Sequence, residues 1–391
     1  MKIISVLSAA CALLFIEFAS AADRLVPSQY ASIQAAISAS ASGDTIRIAP
    51  GTYAELLSIA NKTLVITGSS PAAQVIVRSS NGSRLLSLND AAAGASTFQN
   101  LTLTGGTSQD LIAVTAGNPT FEYCIFQGNQ KRAVTDSRSC SASEGSKFRH
   151  CLFSGNVEPN GGAVRLNNVN ALFEDCVFAD NRASGPTSGV NAGGACYVDD
   201  WNCGTHTFTF TRCAFINNSA VWGGAFYAQG VYPSASSRLV INSCQFVSNS
   251  ATQGMSIYNW YITCPVSLSW YCAASDQIRN GWTDSGGNTF TSNCAQRPFA
   301  DCDANSLPDQ IQIDVGLLPD SNRDGIPDGC QCIGDILVDG MINGADLGAL
   351  LSYWGPVTSS SISQACDLND DGYANGADIG ILLGKWGVCP Q

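Results

Sequence analysis

Cys124-Ile-Phe126-Gln-Gly-Asn129, Cys151-Leu-Phe153-Ser-Gly-Asn156, Cys176-Val-Phe178-Ala-Asp-Asn181, Cys213-Ala-Phe215-Ile-Asn-Asn218 and Cys244-Gln-Phe246-Val-Ser-Asn249 are five copies of one pattern, and Asn288-Thr-Phe290-Thr-Ser-Asn293 is a degenerate sixth. Successive cysteines stand 27, 25, 37 and 31 residues apart, an interval that suits one coil of a solenoid carrying loops of variable length. Cys and Phe are two residues apart, so on a strand both point to one side. Coils stacked about 4.8 Å apart would turn them into inward ladders of sulfur and ring. The closing Asn tolerates left-handed backbone and can bond its own turn, so a stack of Asn at one corner would satisfy polar groups that recur in every coil.

A second pattern falls between the copies: Gly161-Gly162-Ala163, Gly193-Gly194-Ala195 and Gly223-Gly224-Ala225, each leading into a short strand. Together the two patterns resemble the GGA and FxxN repeats of polymorphic outer-membrane proteins, a branch of the pectate-lyase-like superfamily. The resemblance spans about half of the chain and implies a mainly β protein, a right-handed parallel β-helix. Upstream, Ser32-Ile-Gln-Ala-Ala-Ile37 has helical apolar spacing and precedes the strand Asp44 to Ile48, a turn at Pro50 to Tyr53 and the strand Lys62 to Ile66. Such an order looks like the N-terminal capping helix and first coil of secreted β-helix proteins. The runs around Leu85 to Leu88 and Phe98 to Leu103 continue the winding.

The chain opens on Lys2, an apolar run from Ile3 to Phe18 and Ala19-Ser20-Ala21, the order of a secretory signal. Residues 1–22 are read as that signal, 23–299 as the β-helix, 300–332 as a linker and 333–391 as a C-terminal module. The expected location is therefore secreted, extracellular or cell surface. No later stretch reaches the roughly 18–20 apolar residues of a transmembrane segment. A net charge of -12 argues against nucleic acid, whose phosphates call for Lys and Arg, and suits a chain that collects cations. Of 17 cysteines, 16 remain once Cys11 leaves with the signal, in a compartment where disulfides persist. Cys264 with Cys272, and Cys366 with Cys389, are the pairs their placing favours, and Cys196 or Cys203 would pin a loop.

Beyond Asn293 the composition turns to Asp, Asn and Pro. Asp301, Asp303, Asn305 and Asp309, then Asp320, Asn322, Asp324 and Asp328, alternate oxygen ligands in the way a hard cation such as Ca²⁺ requires. These runs resemble thrombospondin type 3 repeats, and Pro308 and Pro327 suit a stiff spacer. The last segment holds two longer units whose starts lie 32 residues apart. Asp367, Asn369, Asp371, Tyr373 (through its carbonyl), Asn375 and Asp378, with Gly372 between, match the EF-hand calcium loop with Asp in the final place. The first unit offers Asp335, Asp339, Met341 (through its carbonyl), Asn343 and Asp346 but carries Leu337 where an oxygen belongs, so it should hold calcium more weakly. Asp at the last ligand and one helix per loop resemble dockerin type I repeats. That resemblance implies a small α, calcium-binding, dockerin-like domain and a cohesin-like protein as partner.

A β-helix by itself does not decide activity. The longest interval between cysteine repeats contains Tyr197-Val-Asp199-Asp200-Trp201-Asn202-Cys203-Gly-Thr-His206. Asp199, Asp200 and His206 are the candidate acid/base groups there. Across the GGA copies, Arg165, Tyr197, Tyr227 and Tyr258 fall at one equivalent position, and with Trp201 and Trp260 they would form an outward ladder on which sugar faces stack. The expected function is a polysaccharide-binding protein, attached or assembled through its calcium tail. A polysaccharide lyase or glycoside hydrolase is the alternative, and an adhesin or structural surface protein a further one. Nothing in the chain sets its oligomeric state.

Overall fold

The computed structural model describes residues 21–140, 144–185, 191–200, 203, 206–230, 236–272, 277–293, 299–321, 323, 325–337, 339–358, 360–369 and 371–389. Residues 1–20 of the signal segment lie outside them. Among the described residues, three parallel sheets of 11, 10 and 9 strands run the length of the body, with strands of successive coils as neighbours in each. This is a right-handed parallel β-helix. One coil illustrates the path: Thr120–Glu122 lies in the first sheet, Ile125–Gln127 in the second and Val134–Ser137 in the third. Each pairs in register with the coil above and below.

Two tight corners shape the coil. Between first and second sheets, the residue just before each Cys is left-handed: Tyr123, His150, Asp175, Arg212 and Ser243 have φ between 49° and 54°. After the second sheet the left-handed residue is Gly128, Gly155, Asp180, Asn217 or Ser248, the position before the repeat Asn, rather than the Asn itself. The Asn is thereby freed for another task. Asn129, Asn156, Asn181 and Asn218 each donate from Nδ2 to Oδ1 of the next Asn, at 2.8–3.0 Å, ending at Asn249. The same amides also reach back to carbonyls such as Phe126 O and Phe153 O. The buried row therefore satisfies backbone and side chain together.

The inward ladders form as the spacing predicts. Phe126, Phe153, Phe178, Phe215 and Phe246 stack at centroid distances of 4.6–5.0 Å. A second ladder, Phe98, Phe121, Phe148, Phe173 and Phe210 on the first sheet, faces it and meets it edge-on, as at Phe121 and Phe126. The repeat cysteines are buried and unpaired. Burial pushes the thiols of Cys151, Cys176, Cys213 and Cys244 well above the usual cysteine range, so they serve as small apolar groups. Each fully buried Phe contributes about 1.5–3 kcal/mol relative to exposure.

The GGA copies have two distinct glycine requirements. Gly161, Gly193 and Gly223 adopt φ of 79°, 67° and 65°. Gly162, Gly194 and Gly224 instead lie against the backbone of the next coil, where a Cβ would run into the carbonyl oxygens of Gly194, Gly224 and Met255. At the N-terminal end, α1 (Ile33–Ala39) is capped by Ser32 and buries Ile33, Ala36 and Ile37 against the first coil. The stretch read as a turn at Pro50 to Tyr53 instead opens a strand, Gly51–Glu55, because it pairs with Val75–Ser79.

The segment after the coils is not a spacer. α2 (Asp309–Asp314) lies on the outer face of the second sheet, where Ile311 and Val315 pack with Ile125, Leu152, Val177 and Ala214. The backbone N–H of Ala73 donates to Val315 O at 3.0 Å, and Cys302 pairs with Cys330. The C-terminal module follows with α3 (Gly344–Ser352), α4 (Ser361–Ala365) and α5 (Gly376–Gly384). Asn343 and Asn375 close matching capping boxes with Asp346 and Asp378. Met341–Ile342 pairs with Gly387–Val388, and Gly355–Pro356 with Tyr373–Ala374, so each loop is tied to the strand after the other unit's helix. Two of the cysteine readings change, and the loop pinned through Cys196 or Cys203 resolves to Cys203. Cys389 bonds Cys332 rather than Cys366, Cys264 is free, and the loop staple joins Cys203 to Cys140 while Cys196 is buried in the core.

Candidate functional site

The third sheet presents two outward rows. Register pairs Arg165 with Tyr197, Tyr197 with Tyr227 and Tyr227 with Tyr258, and beside them Asn167, Asp199, Gln229 and Trp260. Val164, Cys196, Phe226 and Ile257 face in and are buried. The tyrosines are aligned but covered: Tyr197, Tyr227 and Tyr258 are 7%, 6% and 8% exposed and form a cluster with Ala192, flanked by Trp222. Their rings stack on one another at 5.1 and 5.6 Å, and Arg165 lies over Tyr197 at 5.5 Å. Burial pushes the Tyr227 hydroxyl up to about 12, and Tyr258 adds to the shift. Their faces are thus spent on each other, and the ladder is packing rather than a row of open platforms.

The open rings lie at the C-terminal end of the strip. Trp260 and Tyr261 are 42% and 46% exposed, 5.8 Å apart and nearly perpendicular at 71°. They border a cleft of about 520 Å³ lined also by Tyr258, Asn259, Ile262, Asn280 and Gly281. Asn259 is the girder of this cleft: Nδ2 donates to Ile262 O at 2.7 Å and also bonds Gly281 O, while Oδ1 accepts from Ile262 N. Asn280 and Gly281 were not among the residues expected to bind. Only the fold shows which aromatic remains uncovered. Trp201 lies outside the described residues.

The structure brings Asp200 and His206 together and turns Asp199 away, since adjacent strand residues face opposite sides. Asp199 accepts from Arg165 Nη2 at 3.3 Å and from Asn167 Nδ2 at 3.1 Å. Asp200 is fully buried, its carboxylate 2.7 Å from His206 Nδ1, with Oδ2 accepting from His206 N and from Ser237 Oγ at 2.6 Å. Ser237 completes that cluster and was not anticipated. Asp199, Asp200 and His206 therefore do not converge as one acid/base site. The buried pair instead anchors the start of Thr207–Thr211 beside the Cys140–Cys203 bond.

In the C-terminal module, oxygens of Asp335, Asp339 and Asp346 lie within 4.8 Å of one another. Asp335 also accepts from Asp339 N and Gly340 N, and Asp346 from Leu337 N and Asn343 N. The second unit repeats this frame. Asp367 accepts from Asp371 N and Gly372 N, and Asp378 from Leu368 N and Asn375 N. Asp346 and Asp378 are fully buried. Hydrogen bonding from Asn369 holds the Asp371 carboxyl below its usual range. Asn343 and Asn375 place Oδ1 on Ala345 N and Ala377 N as helix caps, which occupies oxygens expected at a cation. The side chains of Met341 and Tyr373 are exposed, leaving only their carbonyls as candidates.

Asp301, Asp303 and Asp309 likewise converge within 4.8 Å, and Asn305 bonds Asp303 and Gln312 beside them. Asp328 accepts from Ser321 N and Oγ, which lowers its pKa, and Asp320 accepts from Gly325 N. Asn322 and Asp324 lie outside the described residues. Three carboxylates gathered within 4.8 Å form a donor set that fits a hard divalent ion.

Residues 86–269 match the family described as a right handed beta helix region. No curated protein sequence matches the chain. Among solved structures, a pectin methylesterase from Erwinia chrysanthemi is 14% identical, with 68% of this chain and 92% of that chain covered and a TM-score of 0.44. The catalytic unit of a GH87 alpha-1,3-glucanase from Streptomyces thermodiastaticus is 13% identical, with 67% and 66% covered and a TM-score of 0.33.

Proposed function

We propose that this chain is a secreted, calcium-dependent polysaccharide-binding protein, with the β-helix as its binding body and the C-terminal module as its attachment. One observation carries the binding reading: Trp260 and Tyr261 remain open on a cleft at the end of a strip whose other rings, Tyr197, Tyr227 and Tyr258, are buried. Indole and phenol faces stack on the C–H faces of sugars, while the neighbouring amide and backbone groups can bond hydroxyls. Among the described lining residues there is no carboxylate, and Asp200 and His206 are committed to each other. Binding is therefore favoured over the lyase or glycoside hydrolase alternative.

Calcium is the cation proposed for the Asp335 and Asp367 loops and for the Asp301 cluster, since each offers several carboxylate oxygens on a turn. The ion would neutralise the gathered charge and tie each loop to the following helix. Attachment through a cohesin-like protein is supported by paired exposed residues at matching places in the two units, Leu351 with Leu383 and Trp354 with Trp386. The test is incubation of the mature chain with neutral and acidic polysaccharides, with and without EDTA. Retention without product supports the binding reading. New reducing ends or unsaturated products would refute it in favour of an enzyme.

A further inference from the structure

The seam between α2 and the second sheet has two unlike halves. One is apolar, where Ile311 and Val315 cover Leu152, Val177 and Ala214. The other is a polar contact. His150, at the left-handed corner with φ of 49°, brings Nδ1 to 2.8 Å from Oδ2 of Asp314, and its ring stacks on Tyr123 at 4.8 Å. Its Nε2 lies 3.9 Å from Asp175, which Arg212 grips through Nε and Nη2 at 2.7 Å each. Gln310 Nε2 donates to the other oxygen of Asp314 at 2.8 Å. Between the halves is a cavity of about 190 Å³ bounded by His150, Val177, Arg212, Ala214, Phe299 and Ile311.

We propose that the segment around α2 is a strap whose docking on the β-helix flank is governed by protonation of His150. The imidazolium meets carboxylates from both sides, Asp314 on the strap and Asp175 on the coil. The neutral ring retains a single hydrogen bond. The groups that face it are Tyr123, Asp175 and Arg212 from the coils, and Asp314 and Gln310 from α2.

The hydrogen bond that His150 donates to Asp314 raises the His150 pKa most, burial opposes it, Asp314 and Asp175 add charge attraction, and Arg212 subtracts. A histidine raised in the docked state contributes fully below the pKa of the undocked ring, and the contribution is lost as pH rises through the docked value. Acid therefore closes the strap and base loosens it. Loosening uncovers an apolar stripe along the flank, from Ile125 to Ala214.

Hydrogen exchange on the full chain tests this, with calcium held constant and rates converted to protection factors to remove intrinsic base catalysis. From about pH 5.5 to about pH 8.5, a span bracketing ordinary histidine titration, protection of the α2 amides should fall about 3- to 10-fold while that of the inner coils holds. The slope should vanish in both His150→Gln and Asp314→Asn. A flat profile for α2, or an unchanged slope in the two variants, would overturn the proposal.

Discussion

Gly194 lies so close to the coil above that a Cβ on it would overlap the carbonyl oxygen of Gly224. The second glycine of each GGA is thus a spacing device between coils, while the first both makes the turn and lies against the backbone three residues on. Gly194→Ala should lower stability by about 3 kcal/mol or more, the upper end of the overpacking range, because the atom its Cβ would strike is backbone. Gly128→Ala, where a Cβ meets nothing but φ is 62°, should lose only about 1–2 kcal/mol. Urea midpoints of the two variants check the ranking, and equal losses would contradict it.

The asparagine row makes a second prediction. Asn181 Oδ1 accepts from Asn156 N and Nδ2, and its own Nδ2 donates to Phe153 O and Asn218 Oδ1. Asn181→Ala leaves several of these buried groups without partners, and an unsatisfied buried group costs about 1–3 kcal/mol. Chemical denaturation should show a loss of at least that size, larger than for an alanine at the exposed Asp180 beside it.

Thiol titration provides a third. The repeat cysteines are buried and those with resolved shifts are raised, so a thiolate is both unformed and unreachable. The native chain should leave them unmodified by a disulfide reagent over hours, and full reaction should need denaturant. Rapid modification of Cys176 in the folded chain would show that the ladder is open.

How much of this was legible beforehand depends on which side of a strand carried the signal. Inward residues repeat at every coil, so Cys, Phe and Asn announced their ladders. Phe121, Phe148, Phe173 and Phe210 each stand eight residues before a repeat Asn, a spacing that was legible, yet their ladder on the first sheet was missed. The strap was written twice and read neither time. Leu307, Ile311 and Val315 recur every four residues, and the residue between Cys and Phe is Ile125, Leu152, Val177 or Ala214, apolar where an exposed face would be polar. Calcium-ligand spacing drew attention from that stripe. The tyrosine ladder was placed correctly in register, yet its exposure depended on Ala192 and Trp222, which no alternation pattern weighs.

Calcium removal makes a fourth prediction. EDTA should lower the melting temperature of the C-terminal module, because carboxylates gathered at Asp335 and Asp346 then repel without compensation. Asp371→Ala should weaken calcium binding more than Asp339→Ala, since Leu337 leaves the first loop short of an oxygen. Calorimetric titration measures both, and the reverse order would contradict the ranking.

Affinity electrophoresis of the wild type and Trp260→Ala through immobilised polysaccharides is the most direct test of the binding account. Removing a stacking ring of this size costs about 1.5–3 kcal/mol. Retention should therefore weaken tenfold or more in the variant and stay unchanged in Tyr227→Phe, whose ring is buried. Equal retention of Trp260→Ala and wild type, or no retention of either on any glycan, would contradict it.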